Sequence, residues 1–139
     1  MDALIVPGTL NSLEPIRDYV KAAAALSGLD KRREYRLELA VDEVATNIIN
    51  YGYQRAGKTG DVEVRVEILP EQLTVILEDD SAPFDPMGLK RPEQIDQPIS
   101  ERPIGGLGIF LALESVDEFR YEYVDGHNRN ILIMKRTAA

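Results

Sequence analysis

The 139-residue sequence predicts an α+β two-layer sandwich, a mostly antiparallel sheet covered on one face by helices. Two pairs of alternating apolar segments, 61–69 with 72–79 and 118–124 with 130–135, are each joined by a short turn and therefore pair antiparallel. Two long helical patterns precede most of these strands instead of alternating with them, which disfavours a doubly wound parallel fold. A hydrophobic share of 44% fills one core, and hence one domain over residues 1–139, without disulfide or metal support.

Ala3 to Val6 reads as a short apolar strand closed by Pro7-Gly8. Thr9, Asn11 or Ser12 can cap a helix running to about Leu26, with Pro15 in the first turn, where its missing N–H costs nothing. Ser27-Gly28 ends that helix, and Asp30 caps a longer one reaching roughly Tyr51, before Gly52 and the polar Gln54 to Gly60 turn. Val62, Val64, Val66 and Ile68 then alternate with polar positions, Pro70-Glu71 reverses the chain, and Leu73, Val75 and Leu77 alternate again up to Asp79. The stretch from Ser81 to Pro103 is proline-rich and weakly patterned. After it, Leu107 to about Val116 forms a helix, and Glu118–Val124 with Asn130–Lys135 forms a second hairpin around Asp125-Gly126.

Composition narrows the chemistry. With 24 acidic and 16 basic residues the formal charge is −8, so no broad electropositive face is expected to track nucleic acid or an anionic membrane. The absence of cysteine removes disulfides, thiol nucleophiles and thiolate metal sites, and a single histidine removes His-rich metal and triad arrangements. No basic segment followed by an apolar run opens the chain, and no run of about 18 apolar residues occurs, so a soluble, cytoplasmic protein is expected.

Three segments carry candidate chemistry. On the second helix, at about 100° per residue, Leu37, Val41, Val44 and Ile48 form the core stripe. Beside it Glu43 and Asn47 are one turn apart, with Asn50 on the same side. Such an edge can supply a Glu base and an Asn oxygen ligand to Mg²⁺; it can equally be a solvated helix edge. Next, the strand ending Glu78-Asp79-Asp80-Ser81-Ala82-Pro83-Phe84-Asp85-Pro86 places an Asp where it can accept a hydrogen bond from an exocyclic amine, or simply builds an Asx turn. Finally, Gly105-Gly106-Leu107-Gly108-Ile109 precedes a helix, where unpaired backbone N–H groups can meet phosphate oxygens; without a ligand the same glycines make a hinge. No Lys-Ser/Thr follows, so it is not a P-loop, and the dinucleotide fingerprint lacks its third glycine and preceding strand. His127, Glu114 and Glu118 read as surface groups.

In order and spacing the three segments resemble the GHKL (Bergerat-fold) ATPase superfamily, and within it the stand-alone anti-sigma-factor serine/threonine kinases. Glu38 to Tyr53 is similar to the family's N-box, Asp79 to Pro86 to its first glycine box, Gly105 to Ile109 to its second, and Asn128 to Arg136 to its closing strand. The resemblance implies Glu43 as the base on the acceptor hydroxyl, Asn47 as the Mg²⁺ ligand and Asp79 as acceptor for the adenine amine. It implies Gly105, Gly106 and Gly108, with Leu107 and Ile109, on the phosphate side. Asn50, Ser81 and Phe84 join the nucleotide contacts, and residues of about 87–104 form a lid over ATP, with Arg102 a further phosphate candidate. It also implies a STAS (anti-anti-sigma) substrate, a competing sigma factor and a homodimer, with no direct nucleic acid or membrane contact.

The sequence departs from the family pattern at two places. Ser81 stands where the first glycine box has Gly, so that its Cβ would crowd the base or require a backbone angle that Gly takes easily. Tyr51 stands where related kinases often have His. The leading expectation is therefore a Mg·ATP-dependent kinase of a STAS partner. The alternative is a nucleotide-gated or nucleotide-free module that sequesters a partner, its first glycine box decayed at Ser81. A module cut from a larger ATPase fits less well, and the chain has no room for the phosphoacceptor helices of a sensor histidine kinase.

Overall fold

A computed structural model describes residues 1–86 and 106–136. Strand β1 (Leu4–Pro7) leads through a 3-10 turn (Leu10–Ser12) into helices α1 (Leu13–Ser27) and α2 (Lys31–Asn47), and α2 runs on into a π-helical turn (Ile48–Gln54). Strands β2 (Asp61–Ile68) and β3 (Gln72–Asp79) follow, then helix α3 (Gly106–Glu114) and strands β4 (Glu118–Val124) and β5 (His127–Lys135). The strands form one five-stranded sheet in the order β1-β2-β3-β5-β4, antiparallel throughout. The α+β sandwich expected from the sequence is the fold observed.

Local chemistry sets the helix boundaries. Gly28 takes the left-handed conformation (φ 73°) that lets its N–H and that of Leu29 bond back to Ala25 and Ala24, closing α1. The Asp30 carboxylate accepts from the Arg33 N–H at 2.8 Å and opens α2. The buried stripe of α2, Leu37, Ala40, Val41 and Val44, lies over Val62 and Val64 of β2, Leu73, Val75 and Leu77 of β3 and Leu132 and Met134 of β5. Each large aliphatic side chain buried there contributes about 1.5–3 kcal/mol. The opposite face of the sheet carries Glu63, Arg65, Glu78 and Arg129, held in ion pairs such as Arg129–Glu78 at 2.8 Å.

The structure departs from the sequence expectations at two ends. The second helix does not stop at Tyr51 but widens: Arg55 N bonds Asn50 O and Lys58 N bonds Tyr53 O, both at 2.9 Å and both spanning five residues. This widening buries Tyr53, whose hydroxyl donates to Asp61 O at 2.6 Å and accepts from Asp80 N at 3.1 Å; burial pushes its pKa up to about 12. Strand β5 starts at His127, three residues before the expected Asn130. Asp125 (φ 53°) and Gly126 (φ 81°) make a two-residue turn with positive φ at both positions, so the hairpin stays paired up to the turn itself. Helix α3 is nine residues long and ends at Glu114, with Val116 still buried. The expected lid, about 87–104, lies outside the described residues. Among the described residues no helix is long and apolar enough to cross a membrane.

Candidate active site

The site lies where the end of α2, the end of β3 and the start of β5 meet under α3. Register puts Asp79 of β3 beside Asn128 of β5, on the same face as the core positions Leu77 and Leu132. Both residues are 2% exposed. Asp79 Oδ1 accepts from the Ser81 N–H (2.9 Å), the Ser81 hydroxyl and the Asn128 amide (3.1 Å), while Asp79 Oδ2 has no partner among the described residues. Burial holds the Asp79 carboxyl above its ordinary pKa, against the opposing pull of the Ser81 and Asn128 hydrogen bonds.

Two further buried groups lining the same space, Asn47 Nδ2 from α2 and Asn130 Oδ1 from β5, are also unpaired among the described residues. All three residues line one small cavity of about 10 Å³, walled by Val44, Ile48, Ser81, Phe84 and Pro86. Buried polar atoms are normally satisfied in a protein, so three orphans around one cavity mark a place prepared for a polar ligand. Phe84 lines it, stacked on Tyr51 with ring centroids 5.7 Å apart, its N–H bonded to Asn128 Oδ1 at 3.2 Å. The guanidinium of Arg55 lies 4.8 Å from the Tyr51 ring centroid.

Glu43 lies one helical turn before Asn47 and is half-buried against α3, where a Cβ on Gly108 would sit 3.0 Å from Glu43 Oε2. Only a residue without a side chain lets the start of α3 approach the carboxylate so closely. Burial first, and the neighbouring Asp42 second, raise the Glu43 pKa. Asp42 is itself tied to Arg17 of α1 at 2.7 Å.

Of the residues singled out in the sequence, Asn47, Asp79, Ser81 and Phe84 line the same cavity, and Gly108 faces the Glu43 carboxylate. Ile109 turns its side chain fully into the core, so only its backbone can face a ligand. Asn50 is half-buried in the π turn and is not among the cavity residues. Gly106 and Leu107 open α3, whereas Gly105 and Arg102 lie outside the described residues. His127 pairs with Asp80 at the surface. No group of three or more His, Asp or Glu able to hold a metal occurs among the described residues.

The expectation that Ser81 needs an angle reserved for Gly is overturned. Among the described residues Asp125 is the only non-glycine with positive φ. Room for Ser81 comes from Gly52 instead: a Cβ there would lie 2.7 Å from Ser81 Cβ and nearer still to its hydroxyl. Because Asp79 and Asn128 fix that hydroxyl, it cannot swing away, and Gly52→Ala is expected to destabilise the protein by about 1–3 kcal/mol. Urea unfolding measures this directly, and an unchanged midpoint would show that Ser81 yields.

Sequence reasoning assigned no role to Asn128 or Asn130. The signal was present: Asn128, Asn130, Leu132 and Met134 continue one period-2 face, so amides on it had to be buried and to call for a partner, in the protein or in a ligand. Besides Asp79, Asn128 donates to the Ser81 and Ala82 carbonyls, both at 3.1 Å, which fixes the loop leaving β3.

The model of the histidine kinase-like ATPase domain matches residues 6–136. The serine-protein kinase RsbW of Bacillus licheniformis is 33% identical over 113 residues, covering 73% of this chain and 68% of the relative; RsbW of Bacillus subtilis (strain 168) is 31% identical over the same extents. Among solved structures, the histidine kinase domain of a blue-light activated kinase from Erythrobacter litoralis superposes with a TM-score of 0.54 at 20% identity, over 91% of this chain and 60% of that one, which shows the shared fold. The chain belongs to the histidine kinase-like ATPase domain family, of the GHKL superfamily. Within it, the chain falls with the anti-sigma-factor kinase family that its three motifs resemble.

Proposed function

We propose that this chain binds Mg·ATP and transfers the γ-phosphoryl group to a Ser or Thr hydroxyl of a STAS partner in the cytoplasm, with a sigma factor competing for the protein and a homodimer as the working unit. The observation that carries this reading is the trio of unpaired buried groups, Asp79 Oδ2, Asn47 Nδ2 and Asn130 Oδ1, with Asn47 one helical turn from Glu43, a carboxylate of raised pKa. A carboxylate oxygen held without a donor suits an exocyclic purine amine. Asn47, through its Oδ1 and not its Nδ2, would be the protein ligand to Mg²⁺, which when bound neutralises phosphate charge and keeps several waters. The start of α3 adds backbone N–H groups that have no partner within the helix.

Glu43 then acts on the acceptor. Its carboxylate orients the hydroxyl and takes its proton as the oxygen bonds to the γ-phosphorus and the bond to the β–γ bridging oxygen breaks, releasing ADP. Asn128 and Ser81 hold Asp79 Oδ1, which leaves Oδ2 in place for the base.

Titration of Mg·ATP by calorimetry, with Mg·GTP and Asn47→Ala as controls, tests this reading. Adenine-selective binding that depends on Asn47 is expected. The space of about 10 Å³ beside Asp79 is far below the size of a purine, so its walls have to open on binding. That closed state is also what supports the second reading, a sequestering module that works without nucleotide. Absence of both binding heat and a thermal shift with Mg·ATP would make it the better one.

A further inference from the structure

Almost every described arginine has its guanidinium engaged: Arg17 with Asp42, Arg33 with Asp30, Arg65 with Glu63, Arg120 with Glu118, Arg129 with Glu78, Arg55 over the Tyr51 ring and Arg136 on the carbonyls of Ser27 and Leu69. Arg32 and Arg36 of α2 are exposed, and among the described residues their side chains have no hydrogen-bond or ion-pair partner. Tyr35, 66% exposed, and Leu39, 39% exposed, stand between them and beyond. At about 100° per residue, Arg32, Tyr35, Arg36, Leu39 and Glu43 occupy an arc of about 100°, and at 1.5 Å per residue the row runs about 16 Å along the helix. It ends at Glu43. Exposed Tyr and Arg side by side are the residue types that dominate protein-binding surfaces, and two free cations on a chain of net charge −8 form a local exception to its overall field.

We propose that this face of α2 is the docking surface for the phosphoacceptor protein, which meets it with acidic groups opposite Arg32 and Arg36 and an apolar patch opposite Tyr35 and Leu39, beside the acceptor hydroxyl. The assignment rests on the kinase reading above. Two features single out this occupant. Unpaired guanidiniums on this face favour a partner whose contact surface is acidic, and a homodimer formed through another face leaves the row free. Continuity with Glu43 means that a protein seated on the row presents its nearest hydroxyl to the base, so that docking supplies orientation as well as affinity.

The test offers purified STAS-domain proteins carrying a Ser or Thr acceptor, with γ-labelled Mg·ATP, to the wild type, to R32E/R36E, to R32K/R36K and to Y35A. For an acceptor labelled by the wild type, R32E/R36E is expected to raise KM for that protein at least about 10-fold, with kcat at saturation and Mg·ATP affinity within about 2-fold. The lysine pair is expected to restore most of the affinity, and the charge-reversal effect should shrink in high salt. Y35A should raise KM without altering the salt dependence. Equal KM for wild type and R32E/R36E would overturn the docking surface while leaving the kinase reading intact. A change in particle mass with R32E/R36E, by light scattering, would assign the face to a second copy and overturn it as well. Labelling of no acceptor by the wild type, alongside intact Mg·ATP binding, would overturn both readings at once.

Discussion

Glu43→Gln is expected to lower phosphoryl transfer by about 10²–10⁴-fold, the usual contribution of a positioned base, while Mg·ATP affinity stays within a few-fold of wild type. The amide has the shape of the carboxylate and comparable helix propensity, so α2 and its approach to Gly108 are preserved. What it cannot do is accept the hydroxyl proton. Single-turnover transfer with saturating nucleotide and acceptor measures the loss, and equal rates for variant and wild type would remove Glu43 from the chemistry.

The pH dependence adds a second reading of the same residue. Burial and Asp42 raise the Glu43 pKa above its ordinary value of 4.5, and the base must be ionised, so the acid limb of the rate profile should lie above 4.5. Asp42→Asn removes the smaller of the two causes and should move the limb partway down. A raised native-state pKa contributes stability that is fully present below the unfolded value and is lost as pH rises through the native one, so ionised Glu43 is a cost near neutrality. Glu43→Gln should then be inactive but no less stable than wild type at neutral pH, and its advantage should disappear in acid. A variant that is dead because it is misfolded would show the opposite.

The strands and the core were legible because their chemistry is local. Val62, Val64, Leu73, Val75 and Leu77 alternate in sequence as they do in the sheet, and Asp30 and Gly28 mark their helix ends by their own side chain or lack of one. The site was legible in its parts, since Glu43 and Asn47 lie one turn apart on a helix and Asp79 ends a strand. Three features were not. A π turn over Ile48–Gln54 differs from an α-helix by less than one residue per turn, too little to show over seven residues. The start of β5 was hidden because the polar stretch His127-Asn128-Arg129 carries no apolar alternation, and Asn128 is polar because it faces the cavity. The accommodation of Ser81 depends on Gly52, 29 positions earlier, and becomes apparent only when β3 is laid beside the π turn. In each case the sequence pattern fails where the chain builds the site instead of the core.

Asp79→Asn separates recognition from stability within that site. Asp79 Oδ1 has its donors from Ser81 and Asn128, so the amide oxygen of the variant can take this position and the NH₂ must take that of Oδ2. A donor then points at the place where an exocyclic amine would itself donate, and the buried pair is left unmatched. At about 1–3 kcal/mol for such a mismatch, Mg·ATP affinity should fall by roughly 5- to 150-fold. Stability should move the other way. Burial is the largest influence on Asp79 and raises its pKa, so the sign is that of Glu43: its contribution is complete below the unfolded pKa and is lost as pH rises through the native one. The amide carries no charge to desolvate, so at pH 7 Asp79→Asn should unfold at the same or a higher temperature than wild type, and its melting temperature should vary less between pH 4 and pH 7. A lower melting temperature together with lost binding would make Asp79 a structural residue of the β3 loop. Unchanged Mg·ATP binding would mean that the base is read elsewhere. Only lost binding in a protein at least as stable fits an acceptor oxygen kept unpaired, at an energetic cost to the apo fold, for a ligand to satisfy.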